Sequence, residues 1–64
     1  MSPAEQARQA QADLTANVRR VHVIHRDLMR DLAASETRAD VAAQHAAQAR
    51  FSEGWIREID GEAA

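Results

Sequence analysis

The feature that most constrains this chain is a run of fifty residues, 4–53, that contains neither glycine nor proline. The run is rich in alanine, glutamine, arginine and glutamate, which all favour the helical conformation. Immediately before it, Ser2 is placed to cap a helix that starts at Pro3, with Glu5 at the third helical position. The sequence therefore predicts an all-α protein whose first helix begins near residue 3.

Apolar residues within this run recur every seven positions, in two interleaved series. In the first half of the chain the series comprise five large aliphatic residues and one histidine: Leu14, Val18, Val21, His25, Leu28 and Leu32. Their spacing alternates between three and four residues, which places them on one side of a helix, as in a coiled coil or a helical bundle. We refer to these six residues as the seam and expect them to form the core of a dimer.

The seam changes from large aliphatic residues to alanines near residue 35, which favours a chain that folds back once. We predict an antiparallel helical hairpin with helix 1 over about 3–33, a turn near 33–36, helix 2 over about 36–59 and a frayed acidic tail at 60–64. Ser35 followed by Glu36 suits the start of the second helix. No glycine or proline marks this turn, so a single long coiled-coil helix paired with another chain is the alternative.

The length of the chain points to self-association. Sixty-four residues allow a single domain, which buries only roughly 60% of the surface that its unfolded form exposes. The sequence has no cysteine, so disulfides cannot supply additional stability. Oligomerisation is the usual remaining source, and we expect a homodimer that forms a helical bundle.

The charge and hydropathy of the chain indicate its cellular location, and its composition indicates its origin. The net charge is −2, no apolar run approaches the roughly 20 residues of a membrane span, and the N-terminus lacks a signal-peptide pattern. We therefore expect a cytoplasmic protein that makes no membrane contact. All of its basic residues are arginines and its alanine content is high, a composition that indicates a bacterial or phage origin.

The sequence offers little for catalysis or metal binding. It lacks cysteine, tyrosine and lysine, and it has no glycine-rich phosphate loop, so we predict neither an enzyme nor a cofactor. His22 and His25 are three residues apart and share a helix face. With a turn at residue 35, His25 would face His45, and the imidazoles could bind zinc or respond to pH. Because no carboxylate lies at ligand spacing, we favour a structural role and predict no metal site.

The two aromatic residues of the chain lie close together near its C-terminal end. Phe51, Trp55 and Ile59 are four residues apart and form a stripe that is rotated away from the alanine seam of helix 2. Large apolar residues outside a seam are candidates for partner contacts, so we predict that this stripe binds a protein. The alternative is that Gly54 shifts the helix and Trp55 closes the end of the bundle over Leu14 and Val18.

Arginines of the first helix provide the second candidate surface, on the face opposite the seam. They are Arg19, Arg26 and Arg30, with Arg20 beside them, and they are candidates for contact with nucleic acid or a charged partner. The favoured function is a non-catalytic interaction module, a small regulator, adaptor or inhibitor that binds a larger protein. The alternative is an RNA-binding helical hairpin dimer that uses these arginines.

Overall fold

A computed structural model describes the backbone of residues 1–63 and the side chains of residues 1–61. Helix α1 spans Pro3–Ser35 and helix α2 spans Ala39–Ala63. The two helices pack antiparallel along their length and form a hairpin 55 Å long and 16 by 12 Å across. The predicted all-α helical hairpin is thus confirmed, and the chain is not a single continuous helix.

The start of α1 follows the pattern predicted from Ser2, Pro3 and Glu5. Ser2 has an extended backbone, and its hydroxyl accepts a hydrogen bond from the Glu5 amide at 3.2 Å. Pro3 occupies the first turn, where its missing N–H group leaves no helical hydrogen bond unmade. Local capping chemistry therefore sets this end of the helix.

The turn lies slightly later than expected, because α1 continues to Ser35 and α2 begins at Ala39. Ser35 does not cap the second helix, since its hydroxyl donates to the Leu32 carbonyl within α1. Glu36 makes the turn instead: its backbone is extended, its amide donates to the Leu32 carbonyl, and its carboxylate accepts from the Arg38 amide at 3.0 Å. A side-chain cap thus replaces the glycine that would ordinarily mark such a turn.

Helix α2 runs through both glycines of the chain. A Cβ atom built on Gly54 would meet no atom within 4 Å, so this glycine fulfils no packing requirement within the hairpin. Residues 60–63, expected to be frayed, are helical, while residue 64 lies outside the described residues.

The hairpin interior is thin. Among the residues whose side chains the structure describes, only Ala49, Ser52 and Ile56 are buried, and all three belong to α2. Because Arg19 contacts Asp60 near the end of α2, the first turns of α1 extend beyond the shorter helix, and residues 1–14 are exposed throughout. No helix in the described part of the chain is long and apolar enough to cross a membrane.

Candidate functional site

Five of the six seam residues do not pack in the interior of the hairpin. Helix α2 lies against a side of α1 that is rotated by about a quarter of a turn from the centre of the seam. That side carries Thr15, His22, His25, Met29 and Ala33, which are partly covered. Of the seam, only His25 is shared with it. The physical reason lies in the polar contacts between the helices on this side: His22 and His25 meet the Ser52 hydroxyl, and Arg26 binds Glu53.

The displaced seam forms the apolar face of the hairpin. Eight large side chains that are 37–64% exposed make up this face: Leu14, Val18, Val21, Ile24, Leu28 and Leu32 on α1, with Phe51 and Trp55 on α2. The sequence predicted the two groups separately. The structure places them on the same side of the hairpin, and Ile24 adds to the outer edge of the α1 group.

Trp55 links the two parts of the apolar face. Its indole stacks on the imidazole of His22, with ring centroids 5.8 Å apart and planes 7° from parallel. Together with Leu14, Val18 and Ile59 it lines a groove between the helices. Phe51 and Trp55 of the predicted docking stripe are exposed, whereas Ile59 is partly covered by α1. The indole therefore contributes to the closure of the hairpin and to its exposed face.

A small hydrogen-bonded cluster lies beneath Trp55. The hydroxyl of Ser52, which is 0% exposed, lies 2.6 Å from Nδ1 of His25 and 3.4 Å from Nδ1 of His22. The predicted pairing of His25 with His45 is wrong, because the later turn shifts the register and brings Ser52, seven residues further along, opposite His25. The covered hydroxyl acts as a hydrogen-bond partner that fixes how the helices meet.

His45 is not part of this cluster. Its Nδ1 atom is buried and has no hydrogen-bond partner among the described residues. Within the described part of the chain, no three histidine or carboxylate side chains come close enough together to hold a metal ion.

The opposite side of the hairpin is the ionic face, where arginines and carboxylates pair across the helices. Arg19 binds both carboxylate oxygens of Asp60, at 2.7 and 3.1 Å. Glu53 receives a hydrogen bond from Arg26 at 2.8 Å, with Arg30 at 3.6 Å and Arg57 at 3.9 Å. The residues of the ionic face that form these pairs are Arg19, Arg26, Arg30, Glu53, Arg57 and Asp60.

These contacts determine the protonation of the two acids. The hydrogen bond from Arg26 lowers the pKa of Glu53, and the hydrogen bond from Arg19 lowers the pKa of Asp60, since each stabilises the ionised carboxylate. Both acids therefore carry a full negative charge at neutral pH, opposite the guanidinium groups that hold them.

The four predicted arginines do not share one surface. Arg19, Arg26 and Arg30 lie on the ionic face, whereas Arg20 lies at the outer edge of α1 and forms no ion pair with another described residue. The sequence prediction missed Arg50 and Arg57 of α2, which line a groove with Arg30 and Glu53. Their seven-residue spacing places both on one helix face, but only the antiparallel register assigns that face to the side of Arg30.

Comparison of the chain with protein-family models, with curated proteins and with solved structures gives no match.

Proposed function

We propose that this chain is a non-catalytic protein-interaction module that works through its apolar face. The observation that carries the proposal is the size and continuity of that face. Six aliphatic side chains of α1 and the two aromatic residues of α2 are 37–64% exposed on one side of a hairpin. Scattered single apolar residues are normal on a protein surface, but a contiguous patch of this kind is typical of a protein–protein contact.

The composition of the face also favours a protein surface as its partner. Trp55 is held in place by its stacking on His22, so little torsional freedom remains to be lost when a partner covers it. Tryptophan is over-represented among residues that dominate the binding free energy at interfaces. An anchored indole beside leucine and valine side chains matches the apolar centre of an interface, and the acidic and polar residues around it match the rim.

The finer role that we assign to the module is that of a small regulator, adaptor or inhibitor of a larger protein, in the cytoplasm of a bacterium or a phage-infected cell. The exposed apolar residues and a sequence without a phosphate loop support this role. The single buried hydroxyl with histidine partners, Ser52, has no exposed surface on which a substrate could react.

Site-specific photo-crosslinking in the source cells tests the proposal. A photoreactive residue is placed at Val21 or Phe51 on the apolar face, and at Arg30 or Arg57 on the ionic face as the matched controls. We expect protein adducts from the first pair that persist after nuclease treatment, and far fewer from the second. An absence of protein adducts from both apolar positions would refute the proposal.

One observation favours a second candidate function, the binding of nucleic acid. Arg19, Arg26, Arg30, Arg50 and Arg57 lie on one side of the hairpin, where the carboxylates that contact them are those of Asp27, Glu53 and Asp60. The arginines therefore exceed the acids on this side, although the chain as a whole is acidic. Binding of RNA or DNA would weaken steeply with added salt, and replacement of Arg50 and Arg57 by glutamine would reduce that salt dependence.

A further inference from the structure

We infer that the apolar face is covered by a second copy of this chain, with the two α1 helices antiparallel and a two-fold axis passing close to residue 23. This inference rests on the proposed function, because it names the protein surface that the apolar face binds. Three observations support it: the exposed area, the spacing of the seam and the position of the aromatic residues.

The hairpin exposes more surface than a folded monomer of its mass is expected to expose. The chain exposes 4889 Å², whereas a folded monomer of the same mass is expected to expose about 4,100 Å². The excess of about 800 Å² is close to what each partner buries in a stable interface of standard size. A second copy that covers the apolar face would bring the exposed surface to the ordinary value.

The spacing of the seam is self-complementary. When a copy of α1 is turned end to end about residue 23, Leu14 comes level with Leu32 of the second copy, and Val18 with Leu28. Val21 then comes level with His25 of the second copy, and Ile24 lies beside its own counterpart near the axis. Every large seam residue therefore meets an apolar residue or the partly covered histidine, as knobs-into-holes packing requires.

Phe51 and Trp55 lie near the level of the proposed two-fold axis along the hairpin. Trp55 stacks on His22, one residue from the proposed axis, and Phe51 is one helical turn away on the same helix. The axis that pairs the two α1 helices therefore also brings Phe51 and Trp55 of one copy towards those of the other. One symmetry operation covers both parts of the apolar face, which gives an antiparallel four-helix bundle.

The experiment combines oligomeric state with distances between spin labels. The natural chain has no cysteine, so Ala10→Cys and Val23→Cys each introduce one labelling site in the full-length protein. The antiparallel pair separates the two labels at position 10 by about 39 Å along the helix axes, at about 1.5 Å per residue. The two labels at position 23 lie at the same level along the axes. Because Val23 is on the side of α1 away from the seam, they are separated by roughly the 8–10 Å distance between packed helix axes plus the widths of the helices and the label arms.

Sedimentation equilibrium at micromolar concentration provides the second measurement. We expect a dimer whose dissociation constant rises about tenfold or more in Leu28→Asn, because a polar group replaces a central apolar contact. Ala43→Asn on the exposed outer side of α2 is the matched control and should leave the dimer unchanged. If Leu28→Asn fails to fold, Val21→Gln provides the alternative: Val21 is 64% exposed in the hairpin, so this variant should fold and should weaken the dimer in the same way.

A helical monomer at these concentrations, or a dimer in which the two labels at position 10 lie as close together as those at position 23, overturns the inference. A monomer that still forms protein adducts from Val21 and Phe51 in cells refutes the second copy but leaves the proposed function in place, with a larger protein as the occupant. A monomer that forms no adducts refutes both.

Discussion

The two faces of the hairpin differ in whether their side chains find partners within the same chain. On the ionic face, Glu53 and Asp60 find their partners within the same chain, through hydrogen bonds from Arg26 and Arg19. On the apolar face the large side chains are left in contact with water. The ionic face is thus complete in one chain and the apolar face is not, and this difference identifies the surface that another protein is needed to cover.

The comparison also indicates what holds the hairpin itself together. The helices are joined by ion pairs across the ionic face, by a buried serine between two histidines and by the burial of Ala49 and Ile56. The branched aliphatic residues, which ordinarily supply most of the free energy of folding, are largely excluded from this contact. The contacts between the helices therefore fix how the two helices are arranged. Most of the aliphatic surface that could stabilise the protein by burial would be buried only when another chain covers it.

The largest expected effect comes from truncation of the apolar face. Leu28→Ala and Val21→Ala should each lower the free energy of unfolding by roughly 1–4 kcal/mol, because a covered face leaves a cavity where the side chain was removed. In an isolated hairpin these residues are already 50% and 64% exposed, so the loss would be small. Denaturant titrations at two protein concentrations measure it, and the effect should be concentration-dependent.

Ala43→Ser, on the outer side of α2, is the control for these truncations and should cost well under about 1 kcal/mol. Equal and small losses at all three positions would mean that no partner covers the apolar face. The exposed side chains of the apolar face would then not identify a surface that another protein covers.

The next effect concerns the hydrogen-bonded cluster between the faces. Ser52→Ala removes the hydroxyl that His22 and His25 share and leaves two ring nitrogens without that partner, which should destabilise the protein by about 1–3 kcal/mol. Ser35→Ala is the matched control, since its exposed hydroxyl binds only a carbonyl of its own helix. Similar losses at both serines would show that the buried hydroxyl does not join the helices.

The helical hairpin could be predicted from the sequence because its causes are local: the run without helix breakers and the capping of α1 by Ser2. The side of α1 that α2 covers could not be predicted in the same way. Heptad spacing identifies one apolar stripe but not which neighbour it meets, and Leu28 can equally face α2 or another chain. The register depends on the turn, which is made by the Glu36 side chain rather than by a glycine, so the pairing of His25 was misplaced.

At the candidate site too, features with local causes could be predicted from the sequence, and features that depend on how the helices pack could not. The sequence identified Phe51 and Trp55 as residues outside the helix 2 seam, since their spacing alone places them there. Only the alternative placed Trp55 over Leu14 and Val18, with which it lines a groove in the structure, because the sequence carries no signal for the relative rotation of two helices. Likewise, pairing of Arg26 with Glu53 depends on a register that no local signal sets.

A smaller effect of opposite sign is expected at Gly54. Glycine in a helix interior is less favourable than alanine by roughly 0.5–1 kcal/mol, chiefly because its unfolded backbone is more flexible. A Cβ atom at this position meets no atom within 4 Å, so Gly54→Ala should raise the free energy of unfolding by about that amount. Gly61→Ala, near the end of α2, should have a smaller effect. Destabilisation by Gly54→Ala, measured by thermal unfolding, would indicate that a partner approaches the backbone there.

The smallest expected effect tests the ionic face through its dependence on pH. Because the pKa of Glu53 is lowered by Arg26 in the folded protein, the unfolded chain binds a proton first as the solution becomes acidic. The stabilisation is therefore present at neutral pH and is lost as the pH falls below 4.5, the ordinary pKa of this carboxyl group, towards the lower folded value. Asp60 contributes with the same sign, but less, since its side chain is 53% exposed against 24% for Glu53.

Melting temperatures measured between pH 7 and pH 3 at constant protein concentration should therefore decline less steeply in Glu53→Gln than in the natural protein. Glu58→Gln is the control, because Glu58 forms no ion pair with another described residue, and it should keep the natural slope. Added salt should flatten the natural curve towards that of Glu53→Gln, since the pairs are partly exposed and are screened. If Glu53→Gln and the natural protein lose stability in parallel, the ionic face does not stabilise the hairpin. The thin interior of Ala49, Ser52 and Ile56 would then have to hold the helices together, and the dependence on a second copy would be greater still.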